Sequence, residues 1–168
     1  MDENGEMEER TVVIRIAEMG VVRNDERTLH ALRTTLGSCV GIILTDPVKD
    51  IHGLAHIMLP ERLEGDAAVG KYADTAVPAL VAEMEKTGSS RKDIEALLVG
   101  GASMFHSDEA PGLARIGAKN IEASVRALAS LGIRVVFQDT GGTCGRAVVF
   151  DGRQRRPEVR TIDGKARP

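Results

Sequence analysis

Aromatic residues are scarce in this chain of 168 residues: they make up 2% of it, and tryptophan is absent. Proteins that bind single-stranded nucleic acid stack the bases on aromatic side chains, so this scarcity argues against that class. The formal net charge is −3, with 22 basic and 25 acidic residues. The chain therefore has no excess of positive charge for nucleic acid phosphates or for an anionic membrane surface.

Cysteine is also rare, and long apolar runs are missing. The two cysteines, Cys39 and Cys144, allow at most one disulfide and exclude a scaffold held together by disulfides. No segment reaches the roughly 20 apolar residues of a membrane-spanning helix. None near the N-terminus has the apolar core of a signal peptide. We therefore expect a cytoplasmic protein whose thiols stay reduced.

The composition that is present fits one ordinary domain. Hydrophobic residues make up 42% of the sequence and charged residues 28%, which is typical of globular proteins. The length suits a single hydrophobic core. We expect residues 1–10 to form a disordered acidic tail, residues 11–162 a single domain, and residues 163–168 a frayed C-terminal tail.

The apolar pattern predicts more strands than helices. Apolar residues at helical spacing indicate helices at residues 73–87 and 118–131. Strands are predicted at residues 11–17, 20–22, 28–36, 39–44, 51–57, 94–99, 133–138, 146–151 and 158–162. This content predicts an α+β domain built in layers, with the helices packed on one side of a mixed sheet or sandwich.

The most informative segment is a predicted hairpin with its turn at residues 46–49, where an Asp-Pro pair favours a turn. If a four-residue loop pairs Thr45 with Asp50, counting along the two strands places Cys39 opposite His56. Opposed side chains on one face of a sheet have Cβ atoms about 4.5–5.5 Å apart. A thiol and an imidazole would then lie within reach of each other.

This proximity is what a cysteine hydrolase requires. The thiolate is the nucleophile, and a neighbouring imidazole can take its proton and later protonate a leaving amine. Gly37 places a flexible turn just before Cys39, and backbone N–H groups there could stabilise an oxyanion. The hydroxyls that could orient the imidazole of His56 as a third member are those of Thr34, Thr35 and Ser38. The alternative is a buried structural cysteine beside a hydrogen-bonded core histidine, and the residues alone leave both hypotheses open.

A metal site is a weaker hypothesis. His52 and His56 are four residues apart, so in a strand they lie on one face, and with Cys39 and Cys144 they would make a Cys₂His₂ ligand set. The spacing lacks the paired ligands of known zinc motifs. We therefore predict no metal and no cofactor.

Two glycine pairs follow predicted strands, Gly100 with Gly101 and Gly141 with Gly142. Neither matches a nucleotide-binding fingerprint. They form either tight turns that need a positive φ or places where a substrate chain approaches the backbone closely. Arg146, after the second pair, is expected to be a surface residue of a strand, with an anchor for an acidic partner as the alternative.

Six short motifs stand in order along the chain, at residues 36–40, 56–60, 71–74, 100–105, 116–120 and 139–142. Together with Arg146 they resemble the CheD family of chemoreceptor glutamine deamidases, from about residue 12 to residue 162. The resemblance implies a three-layer α/β/β sandwich with a catalytic core similar to papain and to deamidating toxins. It implies hydrolysis of selected glutamine side chains on methyl-accepting chemotaxis receptors, which gives glutamate and ammonia through a thioester.

The resemblance also implies roles for single residues. Cys39 matches the nucleophile of the family and His56 its general base. The family uses a threonine six residues before the nucleophile, where this chain has Arg33. We expect Thr34 to act as the third catalytic residue. The alternatives are that Thr35 does so or that neither threonine does. The residues expected to bind substrate are Ser38, Gly100, Gly101, Gly141 and Gly142.

The resemblance further implies a partner, the chemotaxis phosphatase CheC, with the deamidase acting as a monomer or as a heterodimer with that phosphatase. Two other functions stay open. One is a non-catalytic docking module of the chemotaxis system. The other is a different papain-like thiol hydrolase, such as a peptidase or a transglutaminase.

Overall fold

The computed structural model describes residues 5–105, 108 and 110–162. Its strands are β1 (Glu8–Val13), β2 (Met19–Arg23), β3 (Thr28–Leu36), β4 (Val40–Asp46), β5 (Ile51–Ile57), β6 (Glu95–Gly100), β7 (Arg134–Thr140), β8 (Arg146–Phe150) and β9 (Glu158–Thr161). Its helices are α1 (Ala73–Thr87), the single turn α2 (Pro111–Ala114) and α3 (Ile116–Ser130), with short 3₁₀ turns at Val69–Lys71 and Arg91–Asp93. No helix within the described ranges has both the length and the apolar character of a membrane span.

The strands form two sheets. The larger sheet has five strands in the order β2-β5-β4-β6-β7, and the smaller has four in the order β1-β3-β8-β9. β1 pairs with β3 and β6 with β7 in parallel, whereas the other neighbours are antiparallel. Helices α1 and α3 pack against each other and against the larger sheet.

Two apolar clusters separate the three layers. The cluster between the helices and the larger sheet contains Ile42 of β4 and Leu80 of α1. The cluster between the two sheets contains Ile43 of β4 and Leu32 of β3. Every residue of β4 and β5 is buried, which explains why both strands are nearly continuous apolar runs in the sequence. The predicted α+β fold, a three-layer α/β/β sandwich, is confirmed.

The N-terminal segment differs from the prediction. β1 begins at Glu8, inside the expected disordered tail, because residues 8–13 pair with β3. The strand predicted at residues 11–17 ends at Val13, since residues 14–18 cross to the edge of the larger sheet, where the N–H of Ala17 donates to the carbonyl of His56 at 2.9 Å. Residues 1–4 and the expected frayed tail at 163–168 lie outside the described residues. The division into one domain and two tails otherwise stays a prediction.

The turn of the β4–β5 hairpin lies one residue later in the chain than expected, so the partner of each strand residue is displaced by two positions. Asp46 pairs with Ile51, and Gly41, not Cys39, pairs with His56. Asp46 sets this register because its Oδ1 accepts hydrogen bonds from two backbone N–H groups of the turn, both at 3.0 Å. The predicted direct opposition of Cys39 and His56 is therefore wrong, and Cys39 lies in the bend just before β4.

Candidate active site

A hydrogen bond between Thr34 and His56 joins the two sheets at the candidate site. Thr34 lies on β3 and His56 on β5, and both are buried, with 5% and 3% of their surface exposed. Thr34 Oγ1 is 2.8 Å from His56 Nδ1 and 2.7 Å from the carbonyl oxygen of Ile14. The expected contact of a threonine with the imidazole is therefore present in the structure, and it is made by Thr34.

This network assigns the tautomer of the imidazole. The single hydroxyl proton of Thr34 is donated to the carbonyl of Ile14, so Thr34 Oγ1 must accept the hydrogen bond from His56 Nδ1–H. A proton on Nδ1 leaves Nε2 of the neutral ring with a free lone pair. Nε2 is buried and has no hydrogen-bond partner among the described residues. The atom that a general base needs is therefore available.

Burial keeps the imidazole neutral. It lowers the pKa of His56 below the ordinary value of 6.5, and this effect outweighs the opposing influence of the Ile14 carbonyl and of the Glu18 carboxylate. At neutral pH His56 therefore has no charge and can accept a proton at Nε2.

Cys39 lies on the same side of the larger sheet as His56, although the two are not directly opposed. Gly41 pairs with His56, and Cys39, two residues earlier and just before β4 begins, is the diagonal neighbour, which in a regular sheet is about 7–8 Å away. A side chain at Gly41 would meet Leu36 and Thr34, so that position faces the space between the sheets. Cys39 packs against the apolar cluster in the same space.

The thiol of Cys39 is free and half-buried. Burial raises its pKa above the ordinary value, and the backbone N–H of Cys39, which is directed at its own sulfur, partly opposes this. The resting site is therefore a neutral thiol with a neutral imidazole. That this N–H stabilises the oxyanion formed when the sulfur attacks a carbonyl carbon stays a prediction.

The glycine pair at the end of β6 supports the loop that carries Cys39. The N–H of Gly101 donates to the carbonyl of Cys39 at 2.8 Å, and a Cβ on Gly100 would collide with that carbonyl. Both glycines are buried and have a positive φ, 106° and 68°. They therefore lie beneath the loop, where their backbone conformation and close packing require glycine, rather than at an exposed rim of the site.

Asn120 of α3 joins the two segments of the site, and its position there was not foreseen. Its Nδ2 donates to the carbonyl of Ser38 and to the carbonyl of Met58, both at 3.0 Å, and the residue is completely buried. Ser38 precedes Cys39, and Met58 follows the strand of His56. Asn120 ends the motif at residues 116–120, but a motif does not connect a helical residue to loops distant in the chain.

The second glycine pair is held by Arg146, which is completely buried. The expectation that Arg146 lies at the surface is wrong. Its guanidinium donates to the carbonyl of Gly141 at 2.8 Å and to Asp139 Oδ1 at 3.1 Å, so its charge is paired inside the protein. The carbonyl of Gly142 accepts a hydrogen bond from Ser103 N–H at 2.8 Å. Gly142 is exposed and Gly141 half-buried.

The remaining candidates do not gather at the site. Thr35 is exposed on the other face of β3, since successive strand residues alternate. His52 is buried at the turn end of the hairpin, where its Nδ1 bonds Thr45 at 2.8 Å and its Nε2 bonds Asp50 at 2.6 Å. Cys144 is exposed. Over the described part of the chain, no three His, Cys, Asp or Glu residues form a group able to hold a metal ion.

A half-buried thiol, a neutral imidazole with a free Nε2 and a hydroxyl that orients its Nδ1 are the parts required by a cysteine-dependent acyl-transfer site. Here they lie between the sheets of an α/β/β sandwich. Residues 58–161 match the family model CheD, described as CheD chemotactic sensory transduction. The chain belongs to the CheD family.

Individual relatives cover most of the chain. The chemoreceptor glutamine deamidase CheD of Halalkalibacterium halodurans is 40% identical over 137 residues, 79% of this chain and 85% of that protein. The protein of the same name from Thermotoga maritima is 40% identical over 152 residues, 90% of this chain and 92% of that protein. The probable chemoreceptor glutamine deamidase CheD of Methanococcus vannielii is 44% identical over 138 residues, 82% of this chain and 86% of that protein.

Among solved structures, a Neisseria meningitidis protein of the family-model DUF152 matches with a TM-score of 0.48 and 16% identity, over 82% of this chain and 65% of that one.

Proposed function

We propose that this protein hydrolyses the side-chain amide of selected glutamines on methyl-accepting chemotaxis receptors and so acts as a protein-glutamine glutaminase. The relatives named as chemoreceptor glutamine deamidases support the substrate class. The observation that carries the chemistry is the Thr34–His56 hydrogen bond, which leaves Nε2 of a neutral imidazole free on the side of the sheet where Cys39 lies.

In the first half-reaction Cys39 is the nucleophile. His56 Nε2 takes the proton of the thiol as the sulfur attacks Cδ of the glutamine, and the backbone N–H of Cys39 stabilises the oxygen that becomes negative. His56 then gives the proton to the amide nitrogen. The C–N bond breaks, ammonia leaves, and the glutamyl group is a thioester on Cys39.

In the second half-reaction His56 Nε2 deprotonates a water molecule that attacks the thioester carbon. The C–S bond breaks, glutamate leaves, and the proton on His56 returns to the sulfur. In the net reaction one amide and one water molecule give one carboxylic acid and one ammonia. Thr34 holds the imidazole through Nδ1 in both half-reactions and stabilises the imidazolium that forms in each.

Each turnover adds one negative charge to a receptor helix. Like charges at helical spacing repel by about 0.2–0.5 kcal/mol per pair, which is enough to shift the packing of neighbouring receptor helices and thus chemotactic signalling. The receptor segments that carry such signals lie in the cytoplasm, and we place the protein there. We also propose that the phosphatase CheC binds this deamidase at the entrance to the site, where it presents a helix or loop that competes with the receptor.

Intact-mass analysis of a chemoreceptor cytoplasmic domain, with and without the protein, tests this function. Deamidation replaces an amino group by a hydroxyl and adds about one dalton per glutamine, with ammonia released in equal amount. A transglutaminase would add the mass of an amine, a peptidase would cut the chain, and a docking module would leave the mass unchanged. Any of these three results would overturn the proposal.

A further inference from the structure

A groove of about 950 Å³ begins on the outer face of the smaller sheet and reaches the buried pair Thr34 and His56. Its volume is at the upper end of the range for ligand sites. Apolar side chains of Val13 and Ile16 form part of its wall, and both are more than half exposed, 52% and 57%. Cys39 is not among the residues that line this groove, so the groove could hold the part of a polypeptide substrate beside the reacting side chain, not the reacting side chain itself.

Only some of the charged side chains that line this groove have a partner of opposite charge. Arg15, Arg33 and Arg160 line it together with Glu18 and Glu158. Arg160 forms an ion pair with Glu158 at 2.6 Å, and the carboxylate of Glu18 accepts a hydrogen bond from the backbone N–H of Arg15 at 2.8 Å. The guanidinium groups of Arg15 and Arg33 form no hydrogen bond or ion pair with any described residue.

We propose that this groove binds the receptor segment beside the target glutamine and that Arg15 and Arg33 select segments with acidic flanking residues. This inference rests on the proposed deamidase function and names a specificity of that same site. Two guanidinium groups that have no partner among the described residues, on a partly apolar wall, fit an amphipathic segment that offers apolar side chains and carboxylates. The carboxylate of Glu18 is the charged group that acts on His56 at the inner end of the groove, whereas Arg33, on the exposed face of β3, lies farther out along the groove wall.

The arrangement has a consequence for substrates with several glutamines. Deamidation turns a glutamine into a glutamate, and a glutamate beside a second glutamine is an acidic flanking residue. A segment that has been deamidated once thus binds this groove more tightly than before. The first deamidation of a segment therefore lowers the KM for the second.

The test uses a chemoreceptor cytoplasmic domain that retains one target glutamine, in three versions whose flanking charged positions are all glutamate, all serine or all lysine. For the wild-type protein we expect KM to rise from the glutamate to the serine to the lysine version, with kcat unchanged. Arg15→Gln and Arg33→Gln should each raise KM for the glutamate version about 1.5- to 5-fold, as expected for single exposed ion pairs. Arg33→Glu should reverse the preference in favour of lysine.

Arg91→Gln is the matched control, because Arg91 is an exposed arginine that pairs with Glu85 near the end of α1, outside the groove. It should leave all three KM values unchanged. The preference should also shrink at high salt, which screens exposed charges. Equal KM values for the three versions, or no effect of either groove arginine, would overturn this inference while deamidation itself stands. If none of the three versions is deamidated, the proposed function fails and this inference fails with it.

Discussion

Thr34 Oγ1 lies 2.8 Å from His56 Nδ1, although the two residues belong to different sheets and are 22 positions apart in the chain. The hydroxyl fixes the tautomer of the ring, and therefore which nitrogen can act as a base. Replacing Thr34 by Val keeps the shape and removes this acceptor. We expect kcat to fall about 10- to 100-fold, as for other residues that orient a functional histidine.

Two matched variants separate this effect from a packing defect. Thr34→Ser should restore most of the activity, because it keeps the hydroxyl, and Thr35→Val should leave kcat close to wild type, because Thr35 faces away from His56 and lines only the groove wall. Ammonia release under saturating receptor substrate measures kcat. A fully active Thr34→Val protein would remove Thr34 from the mechanism.

Cys39→Ala should abolish ammonia release, by at least about a thousand-fold, as for the loss of a nucleophile in comparable sites. Cys39→Ser should be nearly as inactive, because a hydroxyl is much harder to ionise than a thiol. The fold should survive, since the side chain is only half-buried and has no disulfide. Cys144→Ala is the control and should keep its activity, as Cys144 is exposed. Near-normal ammonia release from Cys39→Ala would falsify the assignment of the nucleophile.

The two histidines of β5 should behave differently. His56→Ala should be as inactive as Cys39→Ala. His52→Ala should keep most of its activity per folded molecule but lower the free energy of unfolding by about 1–3 kcal/mol, because it leaves Thr45 and Asp50 without their buried partner. Ammonia release and chemical denaturation of both variants test this. Greater catalytic sensitivity at His52 would show that the site lies at the other end of the hairpin.

The pKa shifts predict how activity and stability depend on pH. Burial lowers the pKa of both His52 and His56 below 6.5 in the folded state. Both histidines are therefore neutral in the folded protein at pH values where they take up protons in the unfolded chain. Their contribution to stability is complete above pH 6.5 and is lost as the pH falls through the folded-state pKa values.

Thermal unfolding between neutral and acidic pH should show this loss, and His52→Ala should make it smaller. The acid limb of kcat/KM should likewise lie below pH 6.5, because His56 must be neutral to act as a base. The raised pKa of Cys39 predicts that its alkylation by iodoacetamide in the free protein accelerates only in the alkaline range. Rapid alkylation near neutral pH would indicate a preformed thiolate–imidazolium pair instead.

The proposed position of CheC predicts competition with substrate. Adding CheC should slow alkylation of Cys39 and leave the alkylation of the exposed Cys144 unchanged, so one reaction contains its own control. Excess receptor segment should displace CheC from the deamidase. Simultaneous binding of both, with an unchanged alkylation rate at Cys39, would place CheC on a different surface.

Some features followed from the sequence because they depend on local pattern. The largely apolar segments on both sides of an Asp-Pro turn predicted the β4–β5 hairpin, and apolar residues at helical spacing predicted α1 with its observed bounds, Ala73–Thr87. Strand and helix content then predicted the layered fold. The succession of short motifs was sufficient to indicate the CheD family.

The tertiary structure decided the details on which the chemistry depends. The side chain of Asp46 caps the turn and shifts the hairpin register, so Gly41 and not Cys39 opposes His56. Thr34 reaches His56 only because β3 of one sheet packs over β5 of the other. Asn120 is a polar residue whose burial depends on carbonyl groups that two segments distant in the chain bring to it. Local pattern determines which segments become strands and helices, but contacts between segments distant in the chain exist only after the layers have packed.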